Sequence, residues 1–359
     1  MRTLSPSGCD WSSVVATTAA VVDLEATARS SGALRRARKI RRAEELLRLA
    51  LLYGPGGLSL SGAAAAGDAG IACLSDKAVL GRLRRCGDWL ALILARLLAA
   101  RRGLPAAAAE GAGVHLALVD STVICRPGST GSDWRLQARY DPARGRFVDL
   151  SLGPGQQAER VDRTAFEAGT TTVVDRGYGR ARDIRAAITA GSDIVSRIGW
   201  RSLALLDLAG QRFDLMAHLP QGQAPVEHPV RLRDLDRPLR LVIARIPPEK
   251  QAEPQRRLAR RASRKGQTTQ PGTAIAAGYL MLLTSLPATT TPEQVVTLYR
   301  SRWQVELGFK RLKTLGRLDA LPASDPDLAR SWLLAHLIAA VLTEDIATAI
   351  LAFPPSAAA

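Results

Sequence analysis

Three acidic side chains stand where carboxylates could do chemistry. Asp120 follows the apolar run Leu116 to Val119, Asp175 follows the β-branched run Thr170 to Val174, and Glu306 lies among basic residues in a helix-forming stretch. An aspartate where a strand leaves its sheet is common, because the departing chain turns polar. Two such positions can put two carboxylates at one sheet edge, and two ordinary loop aspartates would read the same way. The third acid shifts the balance. On a helix from Pro292 to Gly316, with roughly 100° per residue, Tyr299, Arg302, Glu306, Lys310 and Lys313 fall within an arc of about 80°. Leu298, Val305, Phe309 and Leu312 make a separate apolar stripe, so the helix can pack on a core and show the polar stripe at the edge of the contact. A solvated salt-bridge helix scatters both signs. Here one Glu stands among bases, with Glu306 and Lys310 as the only favourable pair four residues apart.

Carboxylate oxygens are hard ligands that suit Mg2+ and leave coordination places for water and phosphate oxygens. Asp120, Asp175 and Glu306 are therefore read as both catalytic and metal-holding, with two Mg2+ ions as cofactor and Mn2+ able to substitute. A two-ion site activates a water or 3′-hydroxyl and stabilises charge on a phosphate and on the leaving oxygen. The flanking Arg and Lys would neutralise backbone phosphates, and Tyr299 could hydrogen-bond to one.

Composition points to the same partner. The 359 residues carry 49 Lys and Arg against 33 Asp and Glu, a net charge of +16, which favours a polyanion and nucleic acid first. Composition does not separate DNA from RNA or from an anionic membrane surface. Cys9, Cys73, Cys86 and Cys125 show no CxxC spacing and no histidines placed to complete a zinc site, so they read as free thiols in a reducing cytoplasm. The apolar stretches Trp89 to Ala100 and Trp332 to Leu342 are interrupted by Arg96 and His336 and fall short of a membrane span.

The elements that must position the acids follow from periodicity. Residues 1–32 read as a variable N-terminal segment and 33–112 as a helical, DNA-binding region. In the latter, helical spacing runs over 33–53, a short Ala-rich helix follows, and Ser75 caps a helix carrying Lys77, Arg82, Arg84 and Arg85. Two short helices with a basic second member suggest a helix-turn-helix-like reader or a helical scaffold with a solvated basic face. Residues 113–199 alternate as strand, hairpin, strand, helix and strand, an α/β core. Residues 200–286 read as a β-rich insertion, with strands around Val230 to Leu232 and Leu239 to Ile243. The insertion also holds the run Arg256, Arg257, Arg260, Arg261, Arg264 and Lys265, a DNA-contacting loop or a solvated surface segment. Residues 287–359 hold the Glu306 helix and a C-terminal helix from Asp327 to Leu351.

At these residues the chain resembles a known family. YRSRWQVELGFKRLK, residues 299–313, is similar to the Tyr-x2-Arg-x3-Glu-x6-Lys signature of bacterial cut-and-paste insertion-sequence transposases of the DDE class. LALVDSTVI and VVDRGYGR resemble that family's two aspartate strands, and GSTGSDWRLQARYDPARGRFVDL is also like it. The resemblance implies a ribonuclease-H-like catalytic core interrupted by a β-strand insertion. It implies cleavage and strand transfer at an element's ends, with terminal inverted repeats and target DNA as partners and a homodimer forming on paired ends. Tyr299, Arg302, Lys310, Lys313 and Arg176 are the expected DNA contacts. Relatives stack an aromatic of the insertion on a flipped base; here Leu280 holds that register and Tyr279 stands one residue away. Such proteins commonly continue well past the catalytic helix, so the expectation is of a truncated C-terminus and a free monomer. The alternative function is a non-catalytic DNA-binding remnant that inhibits a full-length relative.

Overall fold

A computed structural model describes residues 11–36, 38–66, 73–102, 114–156, 166–264, 266, 268–322 and 324–351. The helical region holds α1 (Trp11–Ala19), α2 (Leu24–Ser30), α3 (Ala43–Tyr53), α4 (Leu60–Ala64), α5 (Asp76–Leu83) and α6 (Gly87–Arg102). The strands are β1 (His115–Ile124), β2 (Trp134–Asp141), β3 (Arg146–Pro154), β4 (Thr170–Val174), β5 (Asp193–Arg197), β6 (Leu205–Leu206), β7 (Val226–Leu232), β8 (Leu239–Arg245) and β9 (Tyr279–Thr284). Among them run α7 (Ala181–Thr189), α8 (Pro248–Arg264) and α9 (Pro271–Ala276), and α10 (Pro292–Arg300), α11 (Trp303–Thr314) and α12 (Pro326–Leu351) follow.

All nine strands form one sheet in the order β3-β2-β1-β4-β5-β9-β8-β7-β6. β1, β4 and β5 are mutually parallel neighbours, and β2 and β3 extend one side as the antiparallel hairpin expected around Asp141 to Gly145. The first five strands carry the ribonuclease-H-like α/β order. The strands of 200–286 are not a separate sheet: β9 pairs antiparallel with β5, and β8 and β7 continue outward from it. Val230, Leu232, Leu239, Leu241 and Ile243 are buried against the same core as Ile184 and Ala187 of α7. The alternation seen in the sequence thus extends an existing face.

The opposite face of the sheet is covered by α6, α10, α11 and α12. Leu118 and Val173 from the strands share a core with Trp89, Leu90 and Ile93 of α6, Val305 and Phe309 of α11, and Leu333 and Ile338 of α12. The N-terminal helices therefore share a core with the sheet. Gly308 fixes the approach of α11: a Cβ there would lie 2.7 Å from Phe147 Cζ of β3, so only a glycine lets the helix lie this close.

Several elements differ from their expected bounds. α3 begins at Ala43, ten residues after the helical spacing starts, because the Glu45 carboxylate accepts the Arg41 N–H at 2.8 Å and closes the helix start there. The run 256–264 is helical, consistent with the strong helix formers Ala, Gln, Glu and Arg that surround it. Lys265 and the side chain of Arg261 lie outside what is described. The single helix expected from Pro292 is two: around Arg302 the hydrogen bonds slip from four-residue to three-residue spacing, at Arg302 N to Tyr299 O, Gln304 N to Ser301 O and Val305 N to Arg302 O.

Candidate active site

Register places the two aspartates side by side. β1 and β4 pair in parallel up to Val119 opposite Val174, so Asp120 and Asp175 are the next residues on adjacent strands. Asp120 is not at the end of its strand, as its sequence suggested. It is where β1 parts from β4 but stays paired with β2, opposite Ala138. Side chains alternate along a strand. Asp120 therefore shares the face of Leu118, and Asp175 that of Val173, which is the face covered by α10 and α11.

The α10–α11 junction brings the third acid and its neighbours to that edge. Arg302 Nη1 donates to Asp120 Oδ2 at 2.6 Å, and its Nη2 donates to Glu306 Oε1 at 2.5 Å. The Tyr299 hydroxyl donates to Asp175 Oδ1 at 3.1 Å. Arg197, which ends β5, has Nη1 3.9 Å from the same Asp175 oxygen. Segments far apart in sequence thus meet at the α10–α11 junction, Asp120 through Arg302 and Asp175 through Tyr299.

The polar stripe read from the sequence is divided among several tasks. Tyr299 is buried, Arg302 spans two acids, and Lys313 donates to the Val123 carbonyl at 2.8 Å, tying α11 to β1. Lys310 remains exposed, as does Arg176 just after Asp175. The ion pair that forms is Arg302 with Glu306, not Glu306 with Lys310, because Arg302 is also drawn to Asp120. Gly179 permits the tight turn after Asp175: a Cβ would lie 2.6 Å from the Arg197 carbonyl oxygen.

The electrostatics are those of a site short of positive charge. Burial, with smaller pushes from Asp175 and Glu306, drives the Asp120 pKa up to about 6, against the pull of Arg302 and the Ser121 N–H. Burial acts on Asp175 in the same direction, but the Arg176 N–H, Arg302, Arg197 and the Tyr299 hydroxyl together hold it below the usual carboxylate range. Burial would lower Arg302, yet Asp120 first, then Tyr299, Asp175 and Glu306 push it upward. The donor set is three carboxylates in mutual electrostatic contact, which suits a hard cation. Among the described residues no three His, Cys, Asp or Glu side chains form a ready-made metal cage, and between Asp120 and Glu306 the guanidinium bridges the acids.

Sequence reasoning missed the surroundings of Asp175. A cavity of about 470 Å3 opens beside it, lined by Arg176, Arg197, Trp200, Lys250, Arg257 and Tyr279 among others. Arg197 could have been found as the last residue of a strand beside the one that ends before Asp175. Lys250 and Arg257 come from α8, and no spacing in the sequence links them to the site. Of the residues weighed for base stacking, Leu280 packs into the core beneath α10 and α11, while Tyr279 points to the other face and its hydroxyl donates to the Pro220 carbonyl at 3.3 Å. A larger cleft of about 580 Å3, lined by Phe147, Leu312, Leu315 and His336, holds none of the three acids.

On the helical region, α5 starts at Ser75, whose hydroxyl accepts the Ala78 N–H. Lys77, Arg82 and Arg85 line a cleft of about 500 Å3 together with Arg35, Arg36 and Arg38. Arg84 leaves this group and pairs with Asp325 at 2.6 Å. Cys73, Cys86 and Cys125 are free thiols, Cys9 lies outside the described residues, and no described helix is long and apolar enough to cross a membrane.

Residues 115–342 match the model of the transposase DDE domain. The chain is 41% identical over 361 positions to InsL of insertion sequence element IS186A from Escherichia coli, covering 97% of each chain. It is likewise 41% identical over 364 positions to the transposase for insertion sequence element IS421 from Escherichia coli, again 97% of each. The transposase for insertion sequence element IS231F from Bacillus thuringiensis is 23% identical over 221 positions, 54% of this chain and 46% of that one. The near-complete coverage of the first two relatives gives no support to a truncated remnant. The chain belongs to the family of DDE-domain transposases.

Proposed function

We propose that this transposase cleaves phosphodiester bonds at the ends of an insertion sequence and joins the freed 3′ ends to target DNA, using Asp120, Asp175 and Glu306 to hold two Mg2+ ions. The observation that carries this reading is the nearness of three acids from β1, the turn after β4 and α11, with Asp120 and Glu306 joined by Arg302 and Asp175 beside them on Tyr299. When bound, the ions activate the attacking oxygen and stabilise charge on the phosphate and the leaving oxygen; Mn2+ substitutes for Mg2+. The chain's own residues orient the acids. Tyr299 fixes one oxygen of Asp175, and Lys313 anchors α11 to β1 so that Glu306 stays at the sheet edge.

DNA grip comes from charges outside the acid cluster. Arg176, Arg197, Lys250 and Arg257 surround the cavity beside Asp175 and would neutralise the phosphates of a strand entering it. Arg302 and Lys310 would act on phosphates at the acids themselves. The six cations of the α5 cleft, with no acid among its lining residues, form a second grip some distance along the chain in sequence. The 33–112 region serves this DNA-binding role, the 287–351 segment supplies the catalytic helix, and two copies act on paired ends.

The test is cleavage of a duplex carrying the terminal inverted repeats of the chain's own element. With Mg2+ or Mn2+ the purified protein should nick the repeat boundary and give strand-transfer products with a target plasmid, and EDTA should abolish both. Repeat binding without any metal-dependent nicking would reject the reading.

A further inference from the structure

Asp120 has two carboxylate oxygens, and both are engaged. The Ser121 N–H donates to Oδ1 at 2.8 Å and Arg302 Nη1 to Oδ2 at 2.6 Å. The second terminal nitrogen of the same guanidinium takes Glu306 Oε1 at 2.5 Å. A cation shared by Asp120 and Glu306 would stand beside the Arg302 guanidinium that now joins these two acids. Mg2+ sits at about 2.0–2.1 Å from its oxygen ligands, inside the reach of a guanidinium hydrogen bond. The two cations therefore repel each other and compete for the same pair of acids.

Arg302 is not fully satisfied where it stands. Its Nε is buried and has no hydrogen-bond partner among the described residues. It stands at the junction between α10 and α11, where the helical hydrogen bonds change to three-residue spacing. Its planar fork matches a phosphate as well as a carboxylate. Lys310, exposed one turn beyond Glu306, leaves positive charge on the outer side of the site where a phosphate would arrive.

We infer that Arg302 is the internal counter-cation of the acid cluster, competing with the divalent ion for Asp120 and Glu306 and releasing them when a DNA phosphate takes its guanidinium. This rests on the proposed role of the three acids as metal ligands. It makes metal entry depend on DNA: in free protein Asp120 and Glu306 are held by Arg302 and the site binds ions weakly. By linkage, DNA tightens the ion and the ion tightens DNA by the same factor.

The experiment is a Mn2+ titration of the full chain, with free Mn2+ followed by electron paramagnetic resonance, on wild type, R302Q, R302K and D120N. Without DNA, R302Q should bind Mn2+ at least about tenfold more tightly than wild type, which is about 1.4 kcal/mol. R302K should fall between them, since an ammonium keeps the charge but cannot span both acids as a fork. Thermal melting checks that each variant is folded. In a second arm, Mn2+ should raise affinity for a labelled element-end duplex, read by fluorescence anisotropy, more in wild type than in R302Q. If R302Q and R302K bind Mn2+ no more tightly than wild type, or Mn2+ raises DNA affinity equally in wild type and R302Q, the inference is overturned. If D120N binds Mn2+ as wild type does, the ligand assignment itself fails, whatever Arg302 does.

Discussion

Two arginines in this molecule gather carboxylates, and they do so in opposite ways. Arg101, near the end of α6, is 2% exposed and has every terminal group engaged. Its Nε donates to Asp345 at 2.9 Å, Nη1 to Glu344 at 2.9 Å and to the Phe147 carbonyl at 2.7 Å, and Nη2 to the Val341 carbonyl. Arg146 adds a second positive charge 3.4 Å from Asp345. Two acids face two arginines, and main-chain carbonyls fill the remaining places. Around Arg302, three acids face Arg302 and the more distant Arg197, and Glu306 is 57% exposed. The first cluster is closed and balanced and joins the helical region to the sheet. The second is open and acid-rich, which suits the proposed binding of a cation and a phosphate.

The largest expected effect falls on the closed cluster. Arg101→Ala removes the Glu344 ion pair, leaves Asp345 with Arg146 alone and leaves two carbonyls unmet, and breaking a buried ion pair costs about 3–5 kcal/mol. Urea unfolding should show a loss of that order. A loss under about 1 kcal/mol would remove the distinction between the two clusters.

A second contrast is set by pH. His336 on α12 is buried, stacks on Trp332 with ring centroids 3.7 Å apart, and donates through Nδ1 to the Trp332 carbonyl at 2.9 Å. Burial above all pulls its pKa from 6.5 down to about 4. The unfolded chain then binds a proton that the folded chain refuses, so stability falls as pH drops from about 6.5 toward about 4. The full loss is about 3 kcal/mol. His336→Leu should flatten this part of the stability profile, as measured by thermal melting across that range. An unchanged slope would place the acid sensitivity elsewhere.

Much of this was legible in the sequence, and what was hidden was hidden for one reason. The types and spacing of Asp120, Asp175 and Glu306 stood out because strand ends and helix arcs are local patterns. The alternation at Val230 to Ile243 was local too, although whether it built a new sheet or extended an old one was not. Arg96 and Arg101 share α6 and look alike in sequence, yet Arg96 is exposed and Arg101 is buried. The difference lies in Glu344 and Asp345, more than 240 residues away. Arg197, Lys250 and Trp200 were missed on the same ground. The break at Arg302 escaped because Ser301 and Arg302 keep helical backbone angles, so nothing in composition marks it.

At the open cluster, substitutions should spare the fold. Asp120→Asn keeps size and shape and leaves Arg302 with Glu306, so stability should shift by less than about 1 kcal/mol, in contrast to Arg101→Ala. A large loss would make the acid cluster structural. The smallest effect on stability belongs to α8, where Arg256, Arg257 and Arg260 are exposed. Replacing all three by Ala should leave melting unchanged. It should reduce the salt slope of DNA binding by up to about 3, since each lost phosphate contact removes roughly 0.9. An unchanged slope would return α8 to a solvated surface.

The central claim is that Asp120, Asp175 and Glu306 act together on the scissile phosphate. It is tested most directly by single-turnover cleavage of an element-end duplex in Mg2+, with DNA affinity measured in parallel, for D120N, D175N and E306Q. Without metal each variant should bind the duplex within about twofold of wild type, yet in Mg2+ each should cleave at least roughly a thousandfold more slowly, because residues that act as one unit are each indispensable. Wild-type cleavage by any one of the three, with binding intact, would contradict the account.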